Sequence, residues 1–267
     1  MIDPPPRLVL LGHPVSHSIS PLFQNAALRA ANIPLTYETL DVHPDALDET
    51  LAMLRSERVA GNVTIPLKEL VAARCTRRSP LAERVGAVNV YWHEGGVLVG
   101  DNSDVGGAEA TLRALLGNRP PRRLAVLGAG GSAAAVVCAA ERCGFSEVRM
   151  YNRNMERAKQ VAKRVGGVVQ AVASLDEALA GADLVVNATP VGLHGDEVPV
   201  PVSMLPDGCA VFDLAYQQSE TPWITAAREA GHRAADGLGM LIEQGAIAFR
   251  LWFGVEPDRT AMWKAIS

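Results

Sequence analysis

Short runs of aliphatic and β-branched residues alternate along the chain with Ala-rich stretches of helical period. That alternation predicts βαβ units and parallel sheets, hence an α/β fold. In the first half, strands are expected at 7–11, 36–41 and 61–65, and helices at 21–31, 44–56 and from about 68. Pro21 suits a first helical turn, with Ser20 ahead of it as the N-cap. Segments 87–92 and 97–100 flank Glu94-Gly95-Gly96 and read as a hairpin. A helix at 104–116 leads to Gly117-Asn118-Arg119-Pro120-Pro121, a turn-rich cluster that reads as a boundary. The second half keeps a tighter beat. Strands are expected at 123–127, 147–152, 168–172, 184–187 and 210–213, and helices at 132–143, 155–165 and 222–230. A helix from 239 to about 252 and another near the end close the chain.

The 267 residues are 48% hydrophobic and 20% charged, the balance of a globular protein with a sizeable core. A net charge of −4 argues against a nucleic-acid partner, and no polybasic run favours an anionic membrane surface. The apolar stretch 124–140 is broken by Gly128, Gly130 and Gly131, so no membrane partner is expected either. Met1-Ile2-Asp3-Pro4-Pro5-Pro6 lacks the basic lead of a secretory leader, and Leu8-Val9-Leu10-Leu11 is too short for its apolar region. Cys75, Cys138, Cys143 and Cys209 form no CxxC pair and have no His at zinc-ligand spacing. Reduced thiols, a cytoplasmic location and no metal are the expectation.

The strongest chemical signal is Leu124-Ala125-Val126-Leu127-Gly128-Ala129-Gly130-Gly131-Ser132-Ala133: an apolar strand, a glycine turn and a small-residue helix start. Gly128, Gly130 and Ala133 match the GxGxxG/A pattern, which turns backbone N–H groups and a helix N-terminus toward a pyrophosphate. The next strand ends in Asn152-Arg153, where an NAD binder usually has an acidic residue for the ribose hydroxyls. Arg157 lies one helical turn on. Two guanidiniums clamp a 2′-phosphate and no carboxylate repels it, so NADP is the expected cofactor. Asn187-Ala188-Thr189-Pro190-Val191-Gly192 ends a later strand, where such sheets line the cofactor crevice; a plain Pro-Gly turn is the other reading.

The first half has polar residues of its own at strand ends. Ser16 and Ser18 stand two apart in the loop after the first strand, spaced to face one small carboxylate. Asn62 and Thr64 alternate with Val63 and Ile65, so both leave one face of a strand. Lys68 follows Pro66 at a helix start, where the dipole disfavours a charged amine; that suits a general acid/base. Asn89 and Asp104 stand at further turn ends, and Asp104 also reads as a bare N-cap. His13 and His17 are four apart in a loop and do not read as a metal site.

Taken in order, these motifs resemble the shikimate dehydrogenase family across nearly the whole chain. The resemblance rests on Ser16/Ser18, Asn62-Val63-Thr64-Ile65-Pro66-Leu67-Lys68, Gly86-Ala87-Val88-Asn89 and Asn102-Ser103-Asp104 in the first half. It continues through the glycine turn, Asn152-Arg153, Asn187-Ala188-Thr189, Asp213-Leu214-Ala215-Tyr216 and Gly237-Leu238-Gly239-Met240-Leu241-Ile242-Glu243-Gln244. It implies an α/β substrate domain (1–103 with 238–267), a Rossmann NADP domain (104–237) and a C-terminal helix returning to the first. It further implies reduction of 3-dehydroshikimate to shikimate with NADPH, in aromatic amino-acid and chorismate biosynthesis. Lys68 and Asp104 match the family's catalytic pair. Ser16, Ser18, Asn62, Thr64, Asn89, Tyr216 and Gln244 match its substrate positions. Gly128, Gly130, Gly131, Ser132, Asn152, Arg153, Arg157, Thr189 and Gly237 fall where the family holds NADP. Two departures stand out: Ser103 and Asn154 where the family usually has threonine. A homodimer, a quinate-type substrate and a catalytically silent ligand-binding relative are left open by the sequence.

Overall fold

The computed structural model describes residues 4–193, 195–217 and 219–267. Its first sheet grows around β1 (Leu8–Gly12), five buried residues in a row. After β1 come α1 (Ser20–Ala30), β2 (Tyr37–Asp41), α2 (Leu47–Ser56) and β3 (Ala60–Val63), with β2 and β3 parallel to β1. Next are α3 (Lys68–Arg74), the two-residue β4 (Arg77–Arg78) and α4 (Pro80–Val85). The hairpin forms as the sequence predicts: β5 (Val90–Glu94) and β6 (Val97–Asp101) pair antiparallel, and both Gly95 and Gly96 adopt the positive φ of its tight turn. The mixed sheet runs β2-β1-β3-β5-β6-β4.

The second sheet is all parallel. Its elements are α5 (Asp104–Leu116), β7 (Arg123–Leu127), α6 (Gly131–Arg142), β8 (Glu147–Tyr151), α7 (Met155–Val165), β9 (Val169–Ala171) and α8 (Leu175–Leu179). They continue with β10 (Leu184–Asn187), β11 (Ala210–Asp213), α9 (Pro222–Glu229) and β12 (Arg233–Ala235). The order β9-β8-β7-β10-β11-β12 reverses direction between β7 and β10, the doubly wound arrangement that binds dinucleotides at that switch point.

The chain then forms α10 (Leu238–Phe253) and α11 (Arg259–Lys264), which returns to pack on α1. Two compact units result: Met1–Ser103 with Leu241–Ser267, and Asp104–Met240. Alternation along β1 divides the core of the first unit. Leu8 and Leu10 join Phe23, Tyr37, Phe249, Trp252 and Met262 on one face; Val9 and Leu11 join Leu47, Leu54, Val71 and Tyr91 on the other.

Three expectations need correction. The cluster at Gly117 to Pro121 is no boundary, because α5 ahead of it packs on α6 inside the second unit. Ser20 is not an N-cap: Ile19 already has helical backbone, so Ser20 is the first helical residue and the Ile19 N-cap position makes no side-chain cap bond. The helix expected at 44–56 opens as a 3-10 turn, Pro44–Ala46, before α2 begins.

Candidate active site

In the first unit, the polar residues singled out at strand ends converge into a buried network. Asn62, in β3, is held at both ends of its amide: the Tyr37 hydroxyl donates to its Oδ1 at 2.8 Å, and its Nδ2 donates to the Asn89 carbonyl at 3.0 Å. Asn89 Nδ2 reaches Ser103 Oγ at 3.0 Å and Gln244 Oε1 at 3.2 Å, while its Oδ1 accepts from the Ser103 N–H at 2.7 Å. Gln244 Nε2 donates to the Leu241 carbonyl. Each of these amides is nine-tenths buried or more. Stranding one polar group here costs about 1–3 kcal/mol, so the network fixes its own rotamers. Ser103 serves the network through a hydroxyl alone, with no threonine methyl.

Around this network, Thr64 is half-buried just past the end of β3, and its N–H donates to the Leu11 carbonyl. Lys68 opens α3, also half-buried. In the loop after β1, Ser16 is exposed, whereas the Ser18 hydroxyl accepts from the Ser20 N–H at the head of α1 and Ser20 is buried. That loop is tethered by a residue the sequence did not flag. Asp41 takes the His13 ring at 2.6 Å on one oxygen and the Val15 N–H at 3.1 Å on the other. The His13 bond, then the Val15 bond, hold the Asp41 carboxyl below the usual carboxylate range.

In the second unit, the glycine turn joins β7 to α6 at the switch point. Gly128 has φ +115°, and a Cβ there would lie 2.7 Å from the Ala188 carbonyl oxygen, so only glycine fits. Gly130 faces open space on its Cβ side, leaving the backbone approachable, and Ala133 is fully buried, allowing close helix–sheet packing. Gly131 and Ser132 form the half-buried first turn of α6. At the end of β8, Asn152 donates to the Asn154 carbonyl, and Asn154 Oδ1 caps α7 by accepting from the Arg157 N–H. Arg157 Nε donates to the Ala129 carbonyl at 2.8 Å, bracing the glycine turn, while Arg153 is exposed. These features fit a dinucleotide with a 2′-phosphate. Thr189 is bonded through its N–H and hydroxyl to Asn187 Oδ1.

Asp104, the first residue of α5, is buried. Burial pushes the Tyr216 hydroxyl above its ordinary range. Gly237 has a packing reason of its own: a Cβ would lie 2.3 Å from the Leu214 carbonyl, and its N–H donates to the Ala215 carbonyl. The four cysteines form no disulfide, and burial pushes Cys75 and Cys209 up to about 11, which keeps those thiols unreactive. No helix among the described residues is long and apolar enough to cross a membrane.

Family models match in three places. Residues 10–91 match the shikimate dehydrogenase substrate binding domain, 112–193 the shikimate / quinate 5-dehydrogenase model, and 237–266 the shikimate 5′-dehydrogenase C-terminal domain. The chain is 41% identical over 273 residues to a shikimate dehydrogenase (NADP(+)) of Mesorhizobium japonicum, covering 100% of this chain and 97% of that one. It is 43% identical over 268 residues to one of Rubrobacter xylanophilus, covering 97% and 94%. Among solved structures, shikimate 5-dehydrogenase of Thermus thermophilus in complex with NADP(H) and shikimate superposes with a TM-score of 0.88 at 38% identity, over 97% and 98% of the two chains.

Proposed function

The chain belongs to the shikimate dehydrogenase family, and from that premise we propose that it catalyses the reversible NADPH-dependent reduction of 3-dehydroshikimate to shikimate, in the cytoplasm, as a step of aromatic amino-acid biosynthesis. The observation that carries this reading is likeness at about 40% identity over the full length of enzymes named for that reaction. The local chemistry agrees with it. A polyol carboxylate asks for many small hydrogen-bonding side chains, which the first unit supplies. The second unit supplies the turn and cations for a phosphorylated dinucleotide.

In this reading, Lys68 gives a proton to the carbonyl oxygen as negative charge grows on it, and Asp104 orients the reacting hydroxyl. Asn62, Thr64, Asn89, Tyr216 and Gln244 bind the ring hydroxyls and carboxylate. Ser18 joins them. The choice between Ser16 and Ser20 for the second hydroxyl falls to Ser20 in this reading, since it stands beside Ser18 at the buried head of α1 while Ser16 is exposed. Gly128, Gly130, Gly131 and Ser132 receive the pyrophosphate of NADP(H). Asn152, Arg153 and Arg157 meet its 2′-phosphate, and Thr189 and Gly237 line the remainder of its site. The cofactor, when bound, supplies the hydride.

The test is NADPH formation at alkaline pH from shikimate and NADP+, with NAD+ and quinate in parallel. Turnover with shikimate and NADP+ is expected, with Lys68→Ala slower by roughly 10²–10⁴-fold, the usual contribution of one acid/base. A folded protein that binds NADP+ yet oxidises neither substrate would refute the enzymatic reading.

A further inference from the structure

Asp213, the last residue of β11, is a fully buried carboxylate that the scheme above leaves without a task. Its oxygens collect three donors. Oδ1 accepts from Asn187 Nδ2 at 2.8 Å and from the Ala215 N–H at 3.0 Å; Oδ2 accepts from the Thr221 hydroxyl at 2.8 Å. Each donor belongs to a different piece of chain. Asn187 ends the neighbouring β10, Ala215 lies in the turn after β11, and Thr221 is the N-cap of α9.

The bonds continue outward from Asn187, itself fully buried. Its Oδ1 holds the Thr189 N–H at 3.0 Å and the Thr189 hydroxyl at 2.6 Å, and its Nδ2 also reaches the Val191 carbonyl at 2.9 Å. A second tie crosses in parallel: Gln217 Nε2 donates to the carbonyls of Gly192 at 2.9 Å and Gly195 at 3.1 Å. The turn after β10 is therefore clamped to the turn after β11 from both of its ends.

Stability alone does not call for a carboxylate here. Desolvation works against the charge, and an apolar residue of similar volume would fill the same space between strands at no such cost. A carboxylate instead supplies directional acceptors to three separate segments. Any displacement of the 187–192 turn breaks bonds to a buried charge.

We propose that Asp213, acting through Asn187 and Thr221, is a positioning residue for the cofactor: it sets the 187–192 turn, with Thr189 on it, in the geometry that receives NADP(H). This rests on the cofactor role given to Thr189 above. Asp213 touches no reacting atom in this scheme, so its removal acts on NADP(H) affinity before it acts on chemistry. An asparagine at 213 keeps the shape but offers one acceptor oxygen and places an amide NH2 against the remaining donors.

The experiment measures the NADP+ Kd of the full chain by titration calorimetry, with Tm by scanning calorimetry and steady-state KM alongside. Asp213→Asn and Thr221→Val should each raise the Kd about tenfold, the equivalent of roughly one lost hydrogen bond. Thr221→Ser, which keeps the hydroxyl, should stay within about twofold, and Gln217→Ala, whose two bonds lie nearer solvent and count for less, should raise the Kd about threefold. KM for NADP+ should follow the Kd while kcat changes less. A lowered Tm with unchanged Kd in Asp213→Asn and Thr221→Val would make the carboxylate merely structural and overturn the proposal. Should Asp213→Asn fail to fold, Thr221→Val and Gln217→Ala decide by the same criterion. Calorimetry keeps the two readings apart: a wild type that binds NADP+ but does not oxidise shikimate refutes the reaction, while the variants still judge the positioning role. A wild type that binds no NADP+ overturns both.

Discussion

At the scale of single residues, the site divides into side chains whose type announces chemistry and side chains whose partners decide it. Lys68 draws attention in the sequence because it stands at a helix start, where a lysine is disfavoured, whereas Asp104 at the start of α5 equally suits an N-cap. Asn62 and Asn89 stood out only as polar residues at strand and turn ends, and Gln244, inside α10, only through the family resemblance. Their mutual bonds were not legible, since Asn89 and Gln244 lie 155 positions apart in the chain and no local pattern links them. Asp41 was missed for the same reason: it reads as the polar end of a strand until His13 and Val15 are seen to meet it. Its lowered pKa has a definite sign. The pair adds stability fully above the ordinary carboxylate value of 3.8 and loses it as the pH falls through the depressed value. Urea midpoints should therefore drop more steeply below about pH 4 in the wild type than in Asp41→Asn. Parallel curves would show that this tether carries no folding energy.

At the scale of elements, a strand was readable wherever both of its faces are buried. β1, β7, β10 and β11 each carry an apolar run of three to five residues, and such runs declare themselves without a period. The elements that escaped, β4, α4, α8 and β12, have two to six residues, too few for either periodicity to emerge. Helix starts misled in one case because Ser20-Pro21 satisfies a capping rule that the preceding Ile19 pre-empts by turning early. The glycine turn between β7 and α6 was fully legible, since its φ and the approach of the Ala188 carbonyl leave no other residue type. Gly128→Ala should consequently cost about 1–3 kcal/mol of stability and weaken NADP+ binding at least tenfold. Chemical denaturation and calorimetry on one preparation would check both. Unchanged NADP+ affinity would mean that this turn does not meet the pyrophosphate.

At the scale of the whole molecule, the two units differ in how the chain supplies them. The second is continuous, with six strands and flanking helices between Asp104 and Met240. The first is split, and Ile242, Phe249, Trp252 and Met262 bury themselves against strands laid down more than 200 residues earlier. Each large apolar side chain buried in this way contributes roughly 1.5–3 kcal/mol. A fragment of residues 104–240 should fold cooperatively and bind NADP+, whereas residues 1–103 alone should show no cooperative melt; circular dichroism during heating distinguishes them. A cooperative transition in the shorter fragment would mean that the returning helices are dispensable.

The split core also sets an order of events on the ribosome. Residues 1–103 emerge before the second unit, yet the helices that cover one face of their sheet are synthesised after it. At ~5–20 residues per second the wait lasts on the order of ten seconds, long enough for the second unit to fold ahead of the first. During that interval the apolar side of β1 and the inner face of α1 lack the cover that α10 and α11 give them, so apolar surface stays exposed on the nascent N-terminal half.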